Sequence, residues 1–228
     1  MPRTAFRKPA GLVFLPQAFY YFNAYARLRE AGLSGPIVVS VPSGNFGNLT
    51  AGLFAKRMGL PVKRFIAANN RNDIFYHYLQ TGNYEPRPSV ATIANAMDVG
   101  DPSNFARILD LYGRSLEAIR ADISAARYDD EQICRAIAET LERTGYLLDP
   151  HGACGYLALC EGLREDETGV FLETAHPAKF RDRVEPVIGR SIEIPARLAE
   201  FMRGKKLSVE LPADFETFKK YLIGESDI

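Results

Sequence analysis

The stretch Pro42-Ser43-Gly44-Asn45-Phe46-Gly47-Asn48 is where residue types and spacing first point to chemistry. It follows an apolar run rich in β-branched residues and leads into a helical pattern, so the order is strand, turn, helix. A helix N-terminus leaves its first N–H groups unpaired and carries the positive end of the helix dipole. Glycines let backbone come close to a bound group, and successive N–H groups can form a concave nest. Ser43, Asn45 and Asn48 could add side-chain donors. This arrangement suits an anion, and a phosphate above all. It is neither a Walker loop, because Gly-Lys-Ser/Thr is missing, nor GxGxxG. The spacing alone fits equally well a tight turn that holds no ligand.

A second polar stretch, Thr174-Ala175-His176-Pro177-Ala178-Lys179, ends another apolar run. Thr174 reads as an ordinary strand-end residue or as a hydroxyl offered to a ligand. His176 reads as a structurally satisfied loop histidine or as part of a site lining. The histidines at 77, 151 and 176 are too scattered for a metal centre. Cys134, Cys154 and Cys160 form no CxxC pair and no zinc spacing, which suits idle thiols in a reducing compartment. The acids read as solvated helix faces.

The elements that must position these loops alternate between strands and helices. Residues 15–31 predict an apolar helix buried on more than one side, ending near Gly32. Pro36 to Val41 predicts a strand buried on both faces, Leu49 to Met58 a helix, Val62 to Ala67 a second strand and Asp73 to Leu79 a helix. Residues 80–102, rich in Gly, Pro, Asn and Asp, predict a long connection. Ser103 starts a helix through Leu116, and Asp129 or Asp130 another with Ile133, Ile137 and Leu141 on one face. Asp149-Pro150 is an N-cap acid with proline at the first helical position; Gly152, Ala153, Gly155 and Ala158 make that helix thin-sided. Val170 to Glu173 predicts a third buried strand, and Phe215 to Leu222 a short helix in a polar tail. The fold class expected is α/β, a mainly parallel sheet flanked by helices, and ligands of such sheets bind where the strands end.

Composition limits the partners. Lys plus Arg and Asp plus Glu are 28 each, so the formal charge is zero, which argues against nucleic acid or an anionic membrane as the main partner. No apolar run reaches the ~20 residues of a membrane-spanning helix. Arg3, Arg7 and Lys8 before Gly11-Leu12-Val13-Phe14-Leu15 faintly imitate a signal peptide, but Gln17 and Asn23 interrupt the run and no small-residue cleavage site follows. The expectation is a soluble, cytoplasmic protein.

Six ordered motifs resemble the threonine synthase family. Val41 to Asn48 is similar to its cofactor-phosphate loop, and Ala55-Lys56-Arg57-Met58-Gly59-Leu60-Pro61 continues in the family manner. Ala68-Asn69-Asn70-Arg71-Asn72-Asp73-Ile74 resembles the segment after the next strand. Ala96-Met97-Asp98 with Pro102-Ser103-Asn104-Phe105, Asp149-Pro150-His151-Gly152-Ala153, and Thr174 to Phe180 follow in family order. Leu15 to Phe22 fits the helix before the loop.

The resemblance implies a fold type II pyridoxal 5'-phosphate (PLP) enzyme of tryptophan-synthase-β-like architecture, converting O-phospho-L-homoserine and water to L-threonine and phosphate. It implies that Gly44, Asn45, Phe46 and Asn48 hold the cofactor phosphate, mainly through backbone N–H groups, and that Thr174 hydrogen-bonds the pyridine nitrogen. It implies a PLP-binding α/β domain over residues 1–188, including the helix at 15–31, and a helical or irregular tail over 189–228. The family's Phe-Lys-Asp segment, which supplies the Schiff-base lysine, does not occur here. The expectation is therefore a C-terminal part with no catalytic residue of its own and with turnover negligible in isolation. Its expected partners are the substrate and an upstream N-terminal domain or complementary chain. A catalytically silent PLP- or phosphate-binding module, or a subunit of a split enzyme, is the alternative. A serine or threonine dehydratase fits less well, given the 149–153 and 174–180 motifs beside 43–48.

Overall fold

The computed structural model describes residues 11–205 and 207–224, with side chains from Pro16 onward. Arg3, Arg7 and Lys8 of the signal-like segment lie outside the described residues. The chain forms two compact units, one running to Ile192 and one from Glu193.

In the first unit, α1 (Gly11–Glu30) leads to β1 (Ile37–Pro42), α2 (Gly47–Arg57), β2 (Val62–Asn69) and α3 (Ile74–Thr81). Then come α4 (Phe105–Leu111), α5 (Leu116–Asp122), β3 (Ile123–Arg127), α6 (Asp130–Thr144), α7 (Pro150–Gly162), β4 (Thr168–Phe171) and α8 (Arg181–Ile188). The second unit contains α9 (Ala196–Met202) and α10 (Phe215–Leu222).

Four strands form one sheet in the order β3-β2-β1-β4, and each neighbouring pair is parallel. Strand alternation assigns its two faces. Ile37, Val39 and Val41 of β1 join Phe65 and Ala67 of β2 in a core with Tyr21, Leu49 and Leu53 from α1 and α2. On the other face the buried Ser40 donates its hydroxyl to the Gly155 carbonyl at 2.7 Å, and Ile66 meets Gly162. That face belongs to α7, which packs on β1 and β2 and is backed by α6. Covered on both faces, residues 37–41 of β1 and 65–68 of β2 are mostly apolar, as parallel strands are, while β2 carries the charged Lys63 and Arg64 near its start. Each fully buried Phe or Leu contributes about 2 kcal/mol.

The thin side of α7 is what lets it sit this close. A Cβ on Gly155 would lie 3.3 Å from the Pro42 ring. Asp149 caps α7, accepting from the His151 N–H, with Pro150 in the first turn. Asp129 and Gln132 form a reciprocal capping box on α6.

The structure departs from expectation at four places. α1 is not buried on several sides: Ala18 and Tyr21 are buried against the α2 side, whereas Phe19 and Tyr20 are exposed. The single helix expected from Ser103 to Leu116 is two, because Gly113 and Arg114 both adopt positive φ and turn the chain. β3, Ile-Ser-Ala-Ala-Arg, carries only one β-branched apolar residue and became a strand by pairing with β2, tertiary context overriding propensity. The strand expected at 170–173 begins earlier, at Thr168, and is a half-buried edge.

Candidate functional site

The two polar stretches leave neighbouring strands. Ser40 of β1 is in register with Phe171 of β4, and the Leu172 N–H still bonds to the Ser40 carbonyl at 3.1 Å. Residues 43–48 and Thr174 therefore follow the C-terminal ends of adjacent parallel strands. The β1 loop also faces β2: the Ser43 N–H bonds to the Ala68 carbonyl at 2.8 Å, and Asn69 Nδ2 donates to the Ser43 carbonyl at 2.8 Å.

Within the loop, backbone and side chains do different work. Phe46 has φ 59, the left-handed region that a non-glycine residue adopts at a cost. Its buried ring lies 4.8 Å from that of Phe75, and this packing holds the strained turn at the start of α2. Among the described residues, no acceptor is found for the N–H of Gly44, Asn45 or Phe46. The N–H of Asn48 belongs to the first turn of α2, where no helical acceptor exists.

Of the side chains expected as extra donors, Ser43 is committed as a donor, while Asn45 and Asn48 are anchored through their acceptor oxygens. Ser43 Oγ donates to the Val41 carbonyl at 2.7 Å. Asn45 Oδ1 accepts from Ser103 N–H at 2.7 Å and from its hydroxyl at 3.1 Å, and the Asn45 carbonyl accepts from Asn104 Nδ2. Asn48 Oδ1 and carbonyl both accept from the Tyr21 hydroxyl, at 2.9 and 2.8 Å. These bonds fix the loop from α1 on one side and from residues 103–104 on the other. Gly44 is required for a reason within the fold, since its open side meets the backbone of Ala96 and Met97.

The Ala96–Met97 turn is itself held by polar groups. Asp98 accepts from Asn70, Asn72 and Thr92, a compact network around the end of β2. On the α7 side, His151 Nε2 accepts from Ala96 N–H at 3.1 Å. Thr174 is exposed, and His176 caps the short turn of Pro177–Phe180, accepting from the Ala178 N–H.

Reading the acids as solvated faces missed the buried ones. Asp73 pairs with Arg87 and Arg127, and its carboxylate also lies 3.2 Å from His77 Nε2. Glu167 is held by Lys63 and Arg64 at the foot of β4, and the Arg64 bond, aided by Lys63, depresses its carboxyl to about 2. The fully buried Asp149 lies against the half-buried Glu173, whose Oε1 accepts from the Asp149 N–H. A cleft of 390 Å³ at α3, lined by Ile74, His77, Thr81 and Arg87, includes none of residues 43–48 and not Thr174.

Residues 18–174, more than half of the chain, match the family model of pyridoxal-phosphate dependent enzymes. The chain belongs to this family. The family's cofactor is pyridoxal 5'-phosphate. Residues 152–222 match a second model, that of the threonine synthase C-terminal region. Threonine synthase of Escherichia coli (strain K12) is 45% identical over 209 residues, which are 92% of this chain and 48% of that protein. The crystal structure of the Escherichia coli threonine synthase superposes with TM-score 0.81 at 44% identity, covering 93% of this chain and 49% of that one. The PLP-bound threonine synthase from Brucella melitensis gives TM-score 0.81 at 34% identity, covering 94% and 51%. This PLP-enzyme chain spans about half the length of the curated relatives it matches. No helix among its described residues is long and apolar enough to cross a membrane.

Proposed function

We propose that this chain is the cofactor-phosphate half of a threonine synthase, the enzyme that converts O-phospho-L-homoserine and water to L-threonine and phosphate. In this reading the backbone N–H groups of Gly44, Asn45, Phe46 and Asn48 hold the PLP phosphate. The observation that carries it is the run of amides without acceptors at residues 44–46, at the end of β1 and the start of α2. The left-handed Phe46 between them gives the chain the bend that a nest requires. A dianionic phosphate fits donors of this kind.

Thr174, at the neighbouring strand end, would be the residue that holds the pyridine nitrogen. Its hydroxyl would donate to an unprotonated ring nitrogen, and so would set how strongly the ring withdraws electrons. When bound, the cofactor supplies an electron sink for carbanions formed on the substrate. The chain's own part is to bind and orient: committed asparagine side chains keep the amides aimed, and Thr174 holds its proton at the ring nitrogen. The other half of the machinery, with the lysine, comes from an N-terminal domain or a complementary chain. The three cysteines, all free thiols, suit a cytoplasmic setting.

The test mixes the purified chain with the separately expressed N-terminal half of the Escherichia coli relative, PLP and O-phospho-L-homoserine. The expected result is release of phosphate and threonine that requires both halves. A chain that binds PLP no better than pyridoxal, and mixtures that form no threonine, would refute the reading.

A further inference from the structure

Between the two proposed cofactor contacts lies a chain of buried polar groups. Glu173 precedes Thr174. Its Oε1 accepts from the Asp149 N–H at 2.8 Å. Asp149 Oδ1 accepts from the His151 backbone N–H at 2.8 Å and lies 2.6 Å from His151 Nδ1. Because His151 Nε2 accepts from Ala96 N–H, the imidazole proton sits on Nδ1 and points at Asp149. Ala96 and Met97 in turn pack on Gly44.

The remaining oxygens pose a problem of satisfaction. Asp149 Oδ2 and Glu173 Oε2 are both buried, and as ionised oxygens neither accepts a hydrogen bond from any of the described residues. The bond from the Asp149 N–H brings the Glu173 carboxyl beside that of Asp149, and the two influence each other directly; both ionised, they would repel in a poorly screened site. One shared proton removes both difficulties, since Glu173 Oε2–H can donate to Asp149 Oδ2. The helix makes room for it: Gly152 has no Cβ where the Glu173 carboxyl sits, and a Cβ there would clash with it.

We infer that Asp149 and Glu173 form an acid pair sharing one proton, and that the pair is a positioning device that ties the Thr174 strand end, through His151 and Ala96, to the Gly44 loop. The value of that tie to the cofactor rests on the reading proposed above; the pair itself does not. Burial, reinforced by the neighbouring Asp149, raises the Glu173 carboxyl to about 8. Burial also works against ionised Asp149, but hydrogen bonds from His151 and Glu173 outweigh it and keep that carboxyl low. Tyr146, ahead of α7, feels both carboxyls, and Cys154, within α7, feels Asp149 and also Asp130 at the start of α6.

The pair is tested on the chain without cofactor, by carbon NMR of side-chain-labelled glutamate from about pH 5 to about pH 9. One resonance, absent from the Glu173→Gln variant, is expected to titrate near pH 8. In the same samples the amide shifts of Thr174 and Ala96 are expected to follow that midpoint. In Glu173→Gln, whose amide donates the same bond without titrating, they are expected to stay still. If every glutamate titrates below about pH 6, the shared proton is refuted. Should the Thr174 and Ala96 amides ignore the titration, the positioning role is refuted even if the proton is there. In a separate arm Glu173→Leu is expected to weaken PLP binding roughly tenfold while Glu173→Gln keeps it; equal affinity in all three proteins overturns the link to the cofactor. A wild-type chain that does not bind PLP sinks the cofactor reading, whereas the acid pair still stands or falls on the NMR titration alone.

Discussion

Met97 stands where a side chain on Gly44 would have to go: a Cβ built on Gly44 falls 2.6 Å from the Met97 Cα. Backbone on backbone cannot yield as a flexible side chain does. Gly44→Ala is expected to cost about 1–3 kcal/mol, the range of overpacked sites, and Gly44→Val more. Urea unfolding followed by tyrosine fluorescence measures it. The reading of this glycine as serving phosphate approach alone predicts instead a folded variant of unchanged stability with poor cofactor affinity.

Phe46 separates backbone from side chain. The ring is buried against Phe75, while the amide finds no acceptor among the described residues. Phe46→Ala is expected to lose about 3–5 kcal/mol, the usual range for emptying a core aromatic site. Phe46→Leu keeps most of the volume and is expected to cost about 1 kcal/mol and to change PLP affinity less than about threefold. A folded Phe46→Leu chain that had lost PLP binding would assign the ring, rather than the amide, to the cofactor.

Thr174 makes the opposite prediction. It is exposed, and no hydrogen bond of its side chain is found among the described residues. Thr174→Val should leave stability within about 0.5 kcal/mol. In the two-half mixture with PLP it should shift the cofactor's absorption and lower turnover, with the phosphate still held. An unchanged spectrum and rate would remove Thr174 from the site.

Glu167 gives a pH signature. Its carboxyl is depressed to about 2 by Arg64 and Lys63, below the usual carboxylate value of an unfolded chain. The folded state therefore prefers the ionised form, and its contribution is present above about pH 4.5 and disappears as the pH falls to about 2. Glu167→Gln should melt a few degrees below wild type at pH 7. The gap should close as acid is added. A gap that stays constant from pH 7 down would mean that packing at the foot of β4, not charge, is what the substitution disturbs.

Much of the fold was legible in the residues themselves. β1 and β2 read correctly because their doubly buried stretches, 37–41 and 65–68, are mostly apolar, and α7 because Asp149-Pro150 is a strong start signal. The loop at 42–48 read as a strand-to-helix turn because its glycines and asparagines favour no regular element. The left-handed residue, however, is Phe46 and not a glycine, since packing on Phe75 offsets the strain, and no local signal carries that. β3 stayed hidden because its alanines favour helix and only pairing with β2 makes it a strand. Glu173 passed as part of an apolar run, because its significance comes from Asp149, twenty-four residues earlier in the chain.

The proposed function depends first on whether the amides of residues 44–48 receive a phosphate. Nitrogen-15 amide spectra of the chain, titrated with PLP and separately with pyridoxal, test this most directly. The amides of Gly44, Asn45, Phe46 and Asn48 are expected to move saturably with PLP and to remain near their starting positions with pyridoxal. Shifts confined to other regions, or the same shifts with both compounds, would contradict it.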